Sequence, residues 1–424
     1  MSFWATLYYH YRRLFKAIKL YLILAGPGII VMVADNDAGG ITTYAVTGAK
    51  YGYHLLWFLL LLGPVAYYVQ EMTVRLGAVT KRGHAEAIFY AFGPFWGWFS
   101  LLDLILTDWL TLMTEFIGMT AALRIFGVPS WLTVLVVTVM MAIMVLQGRY
   151  WTWEKIALLF CGVNLIYIPA AFLVHPPLHE VLYGSLVPHF PPGGFTNQLF
   201  FLLMANTGTT IAPWMVFFQQ SAVVDKGMQE KDITPGKVDT AIGALFTVVV
   251  GAFCIILTGT LLNGVDINDA ATAALKLMGI NHYLGTFLAI GLFDAGFLGA
   301  ICISLASSWA FGEVLGWAHS LNYKVREAPW FYALYFLLLA SAGTVTLIPG
   351  APLVLITLFV QVIAVTLLPA ALVFLILLLN NEESMGRYRN TLTQNVVNVS
   401  IVAVIIVLST LYGVSVLFPS AFGN

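Results

Sequence analysis

Eleven apolar stretches follow one another along the chain, at 21–47, 54–77, 95–124, 130–148, 154–174, 198–223, 238–263, 282–315, 329–349, 351–380 and 394–418. A helix needs about 20 apolar residues to cross the hydrocarbon of a bilayer, and the pattern predicts a transmembrane helix in each. Two of the eleven are interrupted. In the first, Ala34-Asp35-Asn36-Asp37-Ala38-Gly39-Gly40 stands between Leu22–Val33 and Ile41–Val46. An ionised side chain at mid-membrane costs about 3 kcal/mol on insertion scales, so acids there usually mark a substrate path. The two glycines after the acids predict a break in the helix. In the sixth stretch the interruption is Asn206-Thr207-Gly208-Thr209-Thr210-Ile211-Ala212-Pro213-Trp214-Met215. Pro213 cannot donate a backbone hydrogen bond and crowds the turn before it, and Gly208 weakens the helix further.

Composition turns this pattern into a fold class. The chain has 424 residues, 60% hydrophobic and 9% charged, with a mean hydropathy of +0.90. Soluble domains carry about 25% charged residues, so this chain lacks the surface for water and is expected to be an all-α membrane protein. A net charge of −1 offers no basic patch for nucleic acid. Cys161, Cys254 and Cys302 all lie in apolar runs, without disulfide or zinc spacing. Met1–Lys19 is polar and basic and leads straight into the first span, unlike a cleavable signal peptide.

Charge also orients the chain. With a cytoplasmic N terminus, every one of the 19 basic residues except Lys50, Arg124 and Lys276 falls in an inside loop. That asymmetry predicts a multi-pass protein of the cell membrane with its C terminus outside. The broken spans start five spans apart, which suggests a 5+5 inverted repeat plus one extra span, with a cation site between the two breaks. The expected units are an N-terminal segment 1–20, a first repeat 21–175, an extracellular loop 176–197, a second repeat 198–380, and a cytoplasmic loop with the last span, 381–424.

The residues around the breaks resemble the NRAMP family of divalent-metal transporters. Gly26-Pro27-Gly28, Asp37-Ala38-Gly39-Gly40, Tyr51-Gly52-Tyr53, Leu55-Leu56-Trp57, Arg75-Leu76-Gly77 and Ala85-Glu86-Ala87 carry the likeness. It continues through Thr114-Glu115-Phe116-Ile117-Gly118, Ile211-Ala212-Pro213, Gln361-Val362 and Leu368-Pro369. The resemblance implies a LeuT-type fold and alternating access. It also implies a metal site made of Asp37, the Ala34 carbonyl, the residues at 40, 209 and 212, and Gln361.

At several of those positions the chain departs from the family. Gly40 stands where the family has a metal-binding asparagine, Ala212 where it has a methionine, Trp214 and Gln219 where it has histidines, and Thr209 where an alanine lends its carbonyl. A thioether favours transition metals, whereas carboxylate, carbonyl and water suit magnesium, which keeps several waters. The changes resemble the NRAMP-related magnesium transporters and imply transport of a partly hydrated Mg²⁺, with Mn²⁺ as a second substrate. Glu115 is kept from the family's acidic pair in the third span, but its partner position is Leu112. No basic residue lies in Phe331–Leu347, where the family has arginines, and no histidine lies mid-span. The expectation is therefore uncoupled transport by a monomer without an enzymatic activity or a cofactor.

The remaining polar residues are placed around that site. Asp35 and Asn36 are expected beside Asp37 as supporting oxygens, and Trp214 as a lateral wall or filler. Glu115 and Asp108, two turns apart on one helix face, would line an aqueous vestibule or be buried with hydrogen-bond partners. Asp294 would pair with a polar neighbour or attract cations. His175, His179, Glu180 and His189 have the types of metal ligands, although loop histidines are usually solvated. Three other readings compete: a proton-coupled Mn²⁺/Fe²⁺ transporter, a metal-dependent membrane enzyme or receptor, and an organic-solute carrier. The missing methionine and histidines oppose the first, the lack of HExxH-type spacing the second, and mid-membrane Asp37 the third.

Overall fold

Within the described residues of the computed structural model, 26–192, 194–351 and 353–417, all regular structure is helical. The expected N-terminal segment 1–20, and Tyr21–Ala25 of the first predicted span, lie outside them. The helices are α1 (Pro27–Ala34), α2 (Ala38–Tyr51), α3 (Leu56–Thr80), α4 (His84–Phe92), α5 (Pro94–Arg124), α6 (Ser130–Val145), α7 (Tyr150–Val163), α8 (Tyr167–Leu173) and α9 (Leu178–Leu186). They continue as α10 (Asn197–Gly208), α11 (Pro213–Asp225), α12 (Ile233–Leu261), α13 (Ala270–Ile280), α14 (His282–Leu315), α15 (Pro329–Val345), α16 (Leu353–Asn380), α17 (Glu382–Met385) and α18 (Leu392–Leu417).

Where the sequence predicts a span the structure has helix, and six of these runs are long and apolar enough to cross a membrane by length and composition alone. A belt of large apolar side chains faces outward, among them Leu102, Ile143, Leu159, Leu245, Leu337 and Val404. That is the arrangement expected of a helical bundle whose outer solvent is lipid. Hydropathy did not mark α4, α9 and α13. The expected loop 176–197 contains α9, because Pro177 stands before its first turn and Leu178–Leu186 carries apolar residues at helical spacing.

Both interrupted spans are cut, at α1/α2 and α10/α11. The first cut lies at Asp35-Asn36-Asp37, not at the glycines. Gly39 and Gly40 are helical, in the first turn of α2, because the Asp37 carboxylate caps that turn: its Oδ1 accepts from Gly40 N at 2.6 Å. Around the cuts, α12 packs along α1, α2 and α3, and α14 packs against α5 and α13. The halves of the sixth span have different principal neighbours, α16 for α10 and α3 with α14 for α11.

The N-terminal end of α1 is fastened by residues that the sequence did not bring forward. Asp239 of α12 accepts from Gly26 N at 2.9 Å and Gly28 N at 2.6 Å, satisfying amides that a helix start leaves unpaired. Gly26 has φ of 152°, open to glycine but to few other residues, and any side chain there would strike the Glu154 carboxylate. Glu154 in turn accepts from Lys226 Nζ at 2.7 Å in a buried ion pair that joins α7 to the end of α11.

Candidate metal site

The two cuts free backbone carbonyls at matching places. In a continuous first span the Ala38 amide would bond to the Ala34 carbonyl. Here it donates to Glu115 Oε2 of α5 at 2.9 Å instead. In the sixth span Pro213 has no N–H to offer the Thr209 carbonyl, and the Ala212 amide donates to the Met215 sulfur at 3.3 Å. Ala34 and Thr209 therefore each lose the helical partner of their carbonyl, and both residues are buried.

Side chains converge on the same place. The point where a Cβ would stand on Gly40 is in steric clash with the Thr209 hydroxyl and lies 3.2 Å from the Asp35 carbonyl and 3.3 Å from Asp37 Oδ1. On Gly39 the corresponding point overlaps the Gln361 amide nitrogen and is also 3.3 Å from Asp37 Oδ1. Asp37, Gly39, Gly40, Thr209 and Gln361 thus form one cluster, and the two glycines bring it together. Both Asp35 carboxylate oxygens, Asn36 Oδ1, Thr209 Oγ1, Trp214 Nε1 and Gln361 Nε2 are buried without a hydrogen-bond partner. Unsatisfied polar atoms call for a partner such as an ion or water; these six gather around the two breaks, while others among the described residues, such as Asp108 Oδ1 and Glu313 Oε2, lie elsewhere. Among the described residues no three His, Cys, Asp or Glu side chains gather closely enough to hold a metal, so a cation here would draw on carbonyl, hydroxyl and amide oxygens as well as carboxylates.

Other expected residues fall elsewhere. Glu115 and Asp108 are fully buried and do not line a vestibule; Glu115 holds the Ala38 amide and Asp108 Oδ2 accepts from the Ser307 hydroxyl at 2.6 Å. Ser307 of α14 thus reaches across to that face of α5. Asp294 accepts from Asn164 at 2.7 Å, where the fifth span passes through a short 3₁₀ turn, away from the Asp37 cluster. Gln219 has both ends of its amide satisfied, by Thr240 and Thr73, and belongs to the packing of α11. Trp214 is buried against Phe218. Ala212 caps α11, and Met215, a thioether three residues on, is the residue the sequence reasoning passed over.

A cavity of about 480 Å³ leads toward the cluster, lined by Thr42, Ile117, Gly118, Arg124, Asp269 and Thr357. Its floor is one residue from Asp37, since a Cβ on Gly118 would overlap the Ala38 methyl. Asp37 itself is 2% exposed and Thr209 1%, so the cluster is closed off from that cavity.

Comparison with known proteins points in one direction. Residues 28–415 match the Nramp family, described as natural resistance-associated macrophage protein-like. The chain is 23% identical over 410 residues to the divalent metal cation transporter MntH of Caldanaerobacter subterraneus subsp. tengcongensis, covering 93% of each. It is 25% identical to the metal transporter Nramp6 of Arabidopsis thaliana, over 89% of this chain and 74% of that one. In three dimensions it is similar to the Eremococcus coleocola manganese transporter, with a TM-score of 0.79 and 20% identity over 96% of this chain and 89% of that one. The fold is accordingly the LeuT-type fold that the family resemblance implies.

Proposed function

Because the chain belongs to the Nramp family, a family of transporters rather than enzymes, we propose that it carries divalent metal ions across a membrane, Mg²⁺ first and Mn²⁺ besides. Alternating access moves the ion through the Asp37 cluster, without obligatory proton movement. The observation that carries this reading is the convergence of oxygens at Gly40. The space a side chain would take there is occupied by the Thr209 hydroxyl, so that a hydroxyl, a carbonyl and a carboxylate crowd the same point. An oxygen-lined site with few fixed ligands suits an ion that gives up its water reluctantly.

In this reading Asp37 supplies the charge, and Ala34 and Thr209 supply carbonyls freed by the two breaks. Gln361 flips its amide, whose nitrogen faces Gly39 in the structure, to offer its oxygen to the ion; Gly40 lets the Thr209 hydroxyl approach, and Ala212 leaves the volume of a longer side chain to bound water. Asp35, Asn36 and Trp214 surround these groups. Glu115 fixes the Ala38 amide and so holds the break open, while Asp108 and Asp294 act in packing between spans. In this reading the N terminus is cytoplasmic and the C terminus lies outside the cell membrane, which the distribution of loop basic residues supports, and the working unit is a monomer.

A proton-coupled Mn²⁺ or Fe²⁺ carrier is the second reading, favoured by one specific feature: the Met215 sulfur lies at the Ala212 amide, beside the broken span. Proteoliposomes holding a pH probe separate the two. The first reading expects Mg²⁺ and Mn²⁺ influx down their gradients with no matching lumenal acidification. No Mg²⁺ flux above empty liposomes rejects it, and Mn²⁺ flux with a stoichiometric pH change establishes the alternative.

A further inference from the structure

We propose a second metal site, of transition-metal chemistry, between His54 and His189, whose occupation braces the outer halves of the two broken spans against each other. The rings come from distant parts of the chain. His54 lies in the turn from α2 to α3, and His189 between α9 and α10. Their centroids are 5.0 Å apart with the planes inclined at 54°. Two imidazoles sharing a tetrahedral ion at a metal–nitrogen distance of about 2.0–2.1 Å have centroids roughly 5 Å apart, so the pair is already spaced to bind.

The orientation of each ring is fixed in the way metal-binding histidines usually are. His54 Nδ1 lies 2.6 Å from the Tyr51 carbonyl and His189 Nδ1 2.6 Å from the Val187 carbonyl. A carbonyl only accepts, so Nδ1 carries the proton in both rings and each neutral Nε2 keeps its lone pair. The surroundings hold this geometry. Trp57 Nε1 donates to the His189 carbonyl at 2.9 Å, and the Tyr183 ring stands 4.9 Å from His189 on α9. Gly184 lets α9 lie directly against the Tyr53 backbone, where a Cβ would come 2.5 Å from that carbonyl. The pair opens into a cavity of about 560 Å³ also lined by His179 and Glu180, with room for water or a third ligand.

Two imidazoles select borderline ions such as Zn²⁺ over Mg²⁺, so this site differs in chemistry from the Asp37 cluster. Its position gives it leverage. α2 and α10 are already joined by Asn206 Nδ2 donating to the Thr47 hydroxyl at 2.9 Å, and an ion held by both rings adds a second tie between the segments that follow α2 and precede α10. Zn²⁺ bound there slows movement of these halves, which makes it a brake on transport. The braking rests on the transport reading above; the binding does not.

The test is Zn²⁺ titration by calorimetry into the full-length, tag-free protein in detergent, for the wild type, His54→Gln, His189→Gln and Asp37→Ala. The expected result is a Zn²⁺-binding event that persists in Asp37→Ala and weakens at least about tenfold in either histidine variant, the loss that even an outer-shell partner of a metal ligand causes. Unchanged Zn²⁺ affinity in both histidine variants, or binding lost only with Asp37, overturns the site. In proteoliposomes, Zn²⁺ on both sides slows Mg²⁺ flux of the wild type but not of the histidine variants, whose flux without Zn²⁺ shows that they fold. Equal inhibition of all three overturns the brake.

Discussion

The placement of Gly40 makes a quantitative prediction. A methyl group there would overlap the Thr209 hydroxyl and press on the Asp35 carbonyl at 3.2 Å and Asp37 Oδ1 at 3.3 Å. Overfilling a packed interior costs about 1–3 kcal/mol, so Gly40→Ala should lower stability by that amount. It should also reduce ion flux at least about tenfold, since 1.4 kcal/mol lost from ion binding is one decade. Thr209→Ala removes a hydroxyl that has no partner, and should change stability by less than about 1 kcal/mol. In the double variant the overlap with the Thr209 hydroxyl, the closest of the three contacts, disappears, and the two substitutions should couple by about 0.5–3 kcal/mol in the favourable direction. Gly40→Asn, which restores the residue of the wider family, should fail alone for the same reason and improve when Thr209 is shortened. Thermal melting in detergent gives the stability cycle and proteoliposome flux gives the transport cycle. Wild-type melting and flux for Gly40→Ala, or a double variant no better than the single one, would refute the crowding argument.

Three further outcomes are expected. Asp37→Ala should abolish flux while leaving the protein folded, because it removes the carboxylate at the cluster; wild-type flux would reject the site. Ala212→Met should raise Cd²⁺ flux relative to Mg²⁺, and Met215→Leu should lower whatever Cd²⁺ flux the wild type has, as read from competition in the same vesicles; selectivity unmoved by both would dismiss the thioether argument. Lys226→Met leaves the buried Glu154 carboxylate without its ion pair and should cost about 3–5 kcal/mol, with Glu154→Gln in the same chain recovering part of it. Equal melting of the single and double variants would show that the pair contributes nothing.

How much of this was legible in the sequence depended on the kind of signal. Hydropathy located the long helices, because helices that face lipid must be apolar along their length. It missed α4, α9 and α13, which are short and amphipathic. Proline, glycine and acids marked both broken spans, but the first cut was placed on Gly39-Gly40 when it lies at Asp35–Asp37. The capping of α2 by Asp37 decides that, and capping is a matter of geometry that composition does not carry. Glycines at 39 and 40 serve for close approach of Gln361 and Thr209, a three-dimensional use. Asp108 and Glu115 sit seven residues apart on one helix face, which sequence shows. That α14 covers that face with Ser307 is a tertiary fact. Asp239, Glu154 and Lys226 gave no motif, and His54 stood apart from the loop histidines it joins.

The attachment of α12 distinguishes the two breaks mechanically. Asp239 holds the Gly26 and Gly28 amides below the first cut, Thr247 bonds to the Met32 carbonyl and accepts from Asn36 at 3.2 Å at the cut itself, and Cys254 reaches the Ile41 carbonyl at 3.9 Å above it. One continuous helix therefore splints both pieces of the first span. In the sixth span α16 and α3 each touch both pieces, but each packs mainly on one of them, so the two pieces rest chiefly on different neighbours. Of the two joints the second is the less tied, and in the alternating-access reading proposed above a bend that opens one side of the protein while the other stays shut is expected to start at Thr209–Ala212.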